Sequence, residues 1–493
     1  MDLRDFVPFI PEIFLAVAGL ILLLASLAAG RRGSRLMAIL AVASLGITAI
    51  LIWTLGRPEP VEPILGGMLV FDNLAVFFQL LVLAASAIAI IMSAGYLERG
   101  GYSSGEYCSL ILFATLGMLV MASGANLVSL YVGLELMALS VYVLVGYFKL
   151  EIKSNEGAVK YFVLGALSSG VLLYGISLVY GGLGTLSLAE IRASLAADPA
   201  LSPMAGLGVI LVAFGMLFKI AAVPFHVWTP DAYEGAPTPI TAFMSVGPKA
   251  AAFAMFLRLF AGEVGAFQGN GLHVGPLPWQ HVLWLAAAAT MIYGNVAALT
   301  QTNIKRMLAY SSIAHGGYAL MGIIAASAMG TWSLLVYMLI YTFMNLGAFG
   351  FVILLESKGY AGETIADYAG LARRHPAAAA GMLLFMLALA GIPPTAGFMG
   401  KLYLFGAAVQ AGYIKLVVIA VIMSAVSLFY YFRVVVQMYF RQPEESDAAP
   451  AELQHDRWAE AMIGLCAVLT LLIGLYPAPV VSWAQAGLKA IGL

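Results

Sequence analysis

The sequence predicts an all-α polytopic membrane protein of about fourteen transmembrane helices, with two inverted five-helix repeats and with helices seven and twelve broken. Three observations carry this. Of 493 residues, 62% are hydrophobic and 10% charged, too few charges to cover that apolar surface in water, so the bilayer is the solvent. The apolar residues fall in runs about as long as the roughly twenty residues a helix needs to cross the hydrocarbon core. Two of the runs are interrupted by proline and glycine, and those two lie five runs apart.

The runs lie near 9–29, 36–55, 73–95, 107–123, 126–148, 158–180, 203–226, 238–260, 281–300, 305–326, 330–354, 376–408, 414–438 and 458–480. They are too long, and alternate too little, to be barrel strands. No long polar stretch divides them, so residues 1–493 read as one membrane domain. The acidic start, MDLRDFVPFIPE, lacks the basic n-region of a signal peptide, and the first run reads as a retained helix.

Orientation follows from the basic residues. With the N-terminus outside, the inside connections carry Arg31, Arg32, Arg35, Arg99, Lys149, Lys153, Lys305, Arg306, Lys358, Arg373, Arg374, Arg441 and Arg457. The outside connections and termini carry only Arg4, Arg57, Arg192, Lys415 and Lys489. Thirteen against five places both termini on the outer side of the membrane. The net charge of -1 gives no reason to expect a nucleic-acid partner. Cys108 and Cys466 are too few to ligate an iron–sulfur cluster and read as small packed hydrophobes.

The seventh run contains Lys219-Ile-Ala-Ala-Val-Pro224-Phe-His226, and the twelfth contains Gly391-Ile-Pro393-Pro394-Thr-Ala-Gly-Phe-Met-Gly-Lys401. A proline inside a helix removes a hydrogen bond and clashes with the preceding turn. In lipid the freed carbonyls must find partners in protein or water. An offset of five, an odd number, makes the two broken helices cross in opposite directions, which is the mark of inverted repeats that meet an ion near mid-membrane. The halves are then 106–262 (helices 4–8) and 280–440 (helices 9–13), flanked by helices 1–3 in 1–105 and by helix 14 and the C-terminus in 456–493. A short echo, Asn155-Glu-Gly-Ala-Val-Lys160 against Asn303-Ile-Lys305, links the sixth and tenth runs.

An ionisable residue inside a membrane helix is costly enough to mark function by default. Away from the loops, Glu135, Lys219, Lys249 and Lys401 are the deepest, with Lys160, Arg258 and Arg433 nearer helix ends. Lysine suits proton relay: burial disfavours its charged form, a nearby carboxylate restores it, and a moving neighbour therefore loads or unloads it. Arginine stays charged and cannot do this. Glu135, in mid-run, needs a partner such as Lys219. Lys160 could instead snorkel to the surface. His226 and His315 titrate in a useful range and could relay or simply pack. His273, His281, His375 and His455 read as loop or helix-end residues, and no facing pair argues for haem. No phosphate loop, dinucleotide fingerprint or zinc spacing is present.

These residues resemble a known family: the antiporter-like membrane subunits of respiratory complex I, in particular the N-type subunits of bacterial NADH–quinone oxidoreductase. The resemblance covers about residues 70–440. It rests on Leu130-Tyr-Val-Gly-Leu-Glu135, Ala158-Val-Lys160-Tyr-Phe-Val-Leu-Gly-Ala-Leu-Ser-Ser, Phe218-Lys219-Ile-Ala-Ala-Val-Pro-Phe-His226-Val-Trp-Thr-Pro-Asp231, Ala309-Tyr-Ser-Ser-Ile-Ala-His315 and Gly391-Ile-Pro-Pro-Thr-Ala-Gly-Phe. The resemblance implies fourteen helices in two inverted repeats. It matches Glu135, Lys219, Lys249 and Lys401 to the family's proton-translocating glutamate and lysines, and Lys160 and His315 to further polar positions. Lys401, where M-type subunits usually carry glutamate, and the missing long lateral helix of the L-type both point to the N-type. It also implies a bacterial inner membrane, and neighbouring complex I membrane subunits as partners. No cofactor is expected in this chain, with NADH, flavin, iron–sulfur clusters and quinone in other subunits. Two rival readings are a subunit of a multisubunit cation/proton antiporter and a structural scaffold without transport.

Overall fold

Small polar residues between the apolar runs set where helices start. Asp72, Asn126, Ser202, Asn303, Ser327 and Asp456 each accept a backbone N–H of the first turn that would otherwise have no partner. A computed structural model describes residues 3–29, 34–55, 61, 63–197, 202–261, 265–267, 273–274, 277–356, 362–442 and 453–489. Arg31, Arg32, Arg57 and Lys358 of the charge count lie outside them, as do the side chains of Arg4, His273 and Lys489.

The chain runs through α1 (Ile10–Ala29), α2 (Ser34–Leu55), α3 (Asn73–Gly100), α4 (Gly105–Ser123), α5 (Leu127–Val145) and α6 (Ile152–Leu183). A short α7 (Leu188–Ala197) leads to α8 (Pro203–Lys219), α9 (Thr229–Gly235) and α10 (Thr238–Phe260). Then follow α11 (Trp279–Thr300), α12 (Ile304–Ile324), α13 (Ala328–Leu355), α14 (Leu371–Arg374), α15 (Pro376–Ala390), α16 (Ala396–Gln410), α17 (Ile414–Phe440), α18 (Arg457–Leu475) and α19 (Ala478–Lys489). Among the described residues twelve helices are long and apolar enough to cross a membrane. Two further crossings are broken, α8 with α9 and α15 with α16, and together they make the expected fourteen.

Several boundaries differ from the sequence expectation. The sixth crossing begins at Ile152, so Lys160 lies two turns inside it and not at its start. Helices α7 and α19 fall where connections were expected, and a two-residue antiparallel pair, His273–Val274 with Leu277–Pro278, precedes α11. Pro248 sits inside α10 without breaking it, one residue before Lys249.

The two halves share backbone devices at matching places. Asn126 caps α5 and bridges to Ser187; Asn303 caps α12 and bridges to Thr364 over the same number of residues. Gly117 of α4 packs so closely on α5 that a Cβ would stand 2.5 Å from the Met137 amide nitrogen. Gly294 of α11 packs on α12 in the same way, 2.7 Å from that of Ala314. Helix α4 also packs on α10 as α11 packs on α17. These pairings set α4 beside α11, α5 beside α12 and α10 beside α17 as counterparts. The echo between Asn155–Lys160 and Asn303–Lys305 therefore links helices that are not equivalents; the true counterpart of Asn303 is the cap Asn126.

Every described residue of α10 is buried, as are nearly all of α12 and α13, so the core lies where the two halves meet. The outer faces of α1, α2, α6 and α17 expose leucine, isoleucine, valine and phenylalanine, for example Leu27, Ile50, Leu167 and Phe429, which suits a lipid-facing surface.

Candidate functional site

The two breaks are built alike. Helix α8 ends at Lys219, with Ala221 at φ 59° and a cis Val223–Pro224 peptide; α15 ends at Ala390, with Gly391 at φ 87° and a cis Pro393–Pro394 peptide. The positive φ costs nothing at Gly391 but is a strained state for Ala221. Each break leaves a helix C-terminus, a partial negative charge, inside the bundle, and a lysine ammonium answers it. Lys219 is itself the last residue of α8. Lys401 approaches α15 from the far side of the break, donating to the Leu389 and Ala390 carbonyls at 3.1 and 2.9 Å and to Ser424 Oγ at 2.9 Å.

In the first half, Lys219 Nζ lies 4.0 Å from Glu135 Oε1 and donates to Ser169 Oγ at 3.2 Å, while the Ser169 hydroxyl donates to Glu135. The Lys219 side chain is 3% exposed but that of Glu135 is 24% exposed. The glutamate therefore reaches the flank of the chain, where a neighbouring charge would act on it.

At the seam, Lys249 Nζ donates to both the carbonyl and the hydroxyl of Ser312, each at 2.6 Å. The adjacent Ser311 shares a hydrogen bond with Tyr431, whose hydroxyl lies 3.3 Å from His315 Nε2; His315 Nδ1 is 2.6 Å from the Tyr337 hydroxyl. One turn on, the Tyr318 ring faces Lys401 Nζ at 5.1 Å. Helix α12 thus carries Ser311, Ser312, His315 and Tyr318 as a polar spine from Lys249 to Lys401.

Lys219 and Lys249 share no hydrogen bond, and Gly316 stands where their surroundings meet. A Cβ there would lie 3.1 Å from the carbonyl of Ile220, next to Lys219, and 3.9 Å from Lys249 Nζ. Gly316→Val is expected to leave the chain assembled while slowing proton transfer up to about 10²-fold, the scale of a displaced catalytic group. Proton uptake by membrane vesicles checks this, and an unimpaired rate would remove Gly316 from the path.

The structure thus brings Glu135 together with Lys219, and relates Lys249, His315 and Lys401 through α12. Lys160 and His226 sit apart from them. Lys160 is 43% exposed and pairs with Glu156 at 2.6 Å and Asp231 at 2.7 Å. His226 is buried with its ring against Tyr293. His375 and His455 approach to 6.5 Å between ring centres, an edge-on pair the sequence did not suggest. Among the described residues no group of three or more His, Cys, Asp and Glu could hold a metal.

Sequence reasoning missed the hydroxyls, Ser169, Ser312, Tyr431 and Ser424, because serine and tyrosine are common in such helices and nothing local marks these. It also took Lys305 and Arg306 for loop charges. Lys305 is buried and pairs with the buried Glu363 at 3.4 Å, and Arg306 Nη1 holds Asp231 and Glu234 at 2.7 and 2.8 Å. Glu12 is buried too, accepting from Gln79 Nε2 at 2.9 Å, so Glu135 is not the only glutamate inside the bundle.

A family model described as "NADH:quinone oxidoreductase/Mrp antiporter, TM" matches residues 124–427, a segment that holds both breaks and all four deep titratable residues. The chain belongs to this family. Among its members, the NADH-quinone oxidoreductase subunit N of Trichlorobacter lovleyi is 45% identical over 491 residues, 98% of this chain and 96% of that one. A chain of respiratory complex I from Thermus thermophilus has the same fold, with a TM-score of 0.79 and 32% identity over 96% of this chain and 99% of that one. A chain of the Mrp complex from Dietzia sp. reaches a TM-score of 0.81 at 21% identity, covering 100% and 98%, a likeness of fold alone. The N-type resemblance read from the motifs thus agrees with relatives along the whole chain. The chain is a multi-pass membrane protein, which in bacteria places it in the inner membrane.

Proposed function

We propose that this chain is a proton-translocating membrane subunit of an NADH:quinone oxidoreductase, moving protons while electrons pass from NADH to quinone in partner subunits. The observation that carries the reading is the unit Glu135–Ser169–Lys219 at one helix break, together with Lys249 and the α12 spine that runs to Lys401 at the second break. Each lysine is buried, hydrogen-bonded and next to a second polar group able to take or return its proton.

Protons enter from the inner side toward Lys249 and pass along the seam. Glu135 sets the charge state of Lys219, so a charge moving on a neighbouring subunit at the exposed flank drives the cycle. Lys160, His226 and the divisions 106–262 and 280–440 complete this scheme. The redox groups, flavin and iron–sulfur clusters among them, belong to other subunits. Both termini lie on the periplasmic side, as the basic residues of the inner connections require. The rival reading, a cation/proton antiporter subunit, has behind it the likeness of fold to the Mrp complex chain at 21% identity.

Lys219→Ala is expected to abolish NADH-driven proton pumping in membrane vesicles while the complex still assembles. Full pumping by that variant would rule the scheme out.

A further inference from the structure

We propose that the hydroxyl-bearing face of α10, together with the charged cavity at its inner end, is the proton-uptake path to Lys249, and that Glu356 is the carboxylate that collects the proton. This rests on Lys249 being a proton carrier. Thr238, Thr241, Ser245 and Lys249 stand three, four and four residues apart, which puts them on one face of the helix. All four are buried, and they extend over about 16 Å at 1.5 Å per residue.

Each of the four is bonded to a different element. The Thr238 hydroxyl donates to Glu356, the cap residue at the end of α13. The Thr241 hydroxyl donates to the Tyr233 carbonyl at 2.8 Å, in the broken crossing. Ser245 Oγ accepts from Asn345 Nδ2 of α13 at 2.5 Å, and Lys249 donates to Ser312 of α12. The Tyr233 hydroxyl, at the other end of that residue, lies 3.4 Å from Ser312 Oγ, the lysine's own partner. Ordinary threonines in this bundle bond back to their own helix, as Thr48, Thr115, Thr342 and Thr470 do. Thr238, the first residue of α10, has no preceding turn of that helix to bond, and Thr241 turns to the broken crossing instead; Ser245 donates back to the Ala242 carbonyl at 2.7 Å while accepting from Asn345. Asn345 Oδ1, buried beside Ser245, is an acceptor with no partner among the described residues.

The mouth is a cavity of about 800 Å³ on the inner side, lined by Glu234, Glu356 and Glu363 together with Arg99, Lys153 and Lys305, a mixed-charge site in which Lys153 pairs with Glu234 and Glu363. Glu356 belongs both to this cavity and to the helix face, because its second oxygen accepts from Tyr96 at 2.9 Å while the first accepts from Thr238. Burial raises the neighbouring Glu363 carboxyl above the ordinary glutamate range, with Lys305 and Lys153 pulling it back and Glu356 adding to the rise. Transfer balances if each hydroxyl takes a proton on its oxygen from a water on the inner side and, turning away from the carboxylate or carbonyl it now serves, releases its own to a water on the Lys249 side. Consecutive positions on a helix face are about 5–6 Å apart, a gap that one water spans.

The test uses the whole complex in lipid nanodiscs, where no gradient can form, with NADH:quinone turnover read with and without formate, a small weak acid that fits the cavity. Glu356→Gln is expected to lower turnover about tenfold or more, the low end of losing a proton-transfer group, with formate restoring at least half of it. Thr241→Val is expected to slow turnover likewise, and Glu356→Asp to keep most of it. Lys249→Met is expected to be inactive with or without formate. Wild-type turnover in Glu356→Gln, or a loss in an assembled complex that formate does not relieve, would overturn the uptake path. If Glu356→Gln does not assemble, Thr241→Val decides, and normal turnover there overturns the path. A fully active Lys249→Met complex would instead remove the reading on which the path rests.

Discussion

Lys249→Arg is expected to stop proton pumping as completely as Lys249→Met, with turnover of the coupled complex down about 10²-fold or more in both, the scale of a lost acid–base group. If Lys249 served only to place a cation against the Ser312 carbonyl and hydroxyl, a guanidinium would serve nearly as well, since it offers more donors. If the residue must release its proton, a group that stays charged in proteins is as useless there as a thioether. The two substitutions therefore separate a structural charge from a working one. The measurement is NADH-driven acidification of inverted membrane vesicles, with assembly checked on the purified complex. An arginine variant that pumps while the methionine variant does not would make Lys249 a fixed counter-charge.

The lysines were legible in the sequence because membrane helices make them conspicuous: a charged group among twenty apolar residues needs a reason. The breaks at Pro224 and at Pro393–Pro394 were legible because proline within an apolar run has few meanings. What could not be read was the partner of each lysine. Ser169, Ser312 and Ser424 lie 50, 63 and 23 residues from the lysines they bind. Such pairings are set by how helices lean on one another, and serine has no preference strong enough to announce them. Gly316 is a sharper case, since a glycine in a helix reads as a packing residue until the Ile220 carbonyl is found against it. Lys305 and Glu363 show the opposite error: a charge at the end of an apolar run reads as solvated, yet here the connection after α13 folds over it. The repeat itself was inferred from the odd offset of the breaks. Its backbone signature, the caps Asn126 and Asn303 with their bridges, needed the strand-like contacts of connections that no periodicity reveals.

The same blindness hid a buried two-bond ion pair, and it carries a large expected loss of stability. Arg258, the third residue from the end of α10, holds Asp72 with two nitrogens, at 3.1 and 2.8 Å, and donates through Nε to the Ala122 carbonyl at 2.7 Å. Asp72 in turn caps α3 by accepting the Ala75 amide at 2.8 Å. One buried guanidinium thus ties α3, the end of α4 and α10 together, in the fork geometry that suits arginine and not lysine. Arg258→Leu leaves the Asp72 carboxylate buried without its cation and is expected to cost about 3–5 kcal/mol, seen as a lowered thermal midpoint and poor recovery of the assembled complex. Adding Asp72→Asn is expected to return most of that loss, because asparagine keeps the helix cap and carries no charge to strand. A double variant as unstable as Arg258→Leu alone would mean that the lost packing of the arginine stem, not the stranded carboxylate, accounts for the damage. Pumping per electron should be unchanged in whatever fraction of either variant assembles, since Arg258 stays charged and lies outside the chain of lysines, hydroxyls and histidine along the seam.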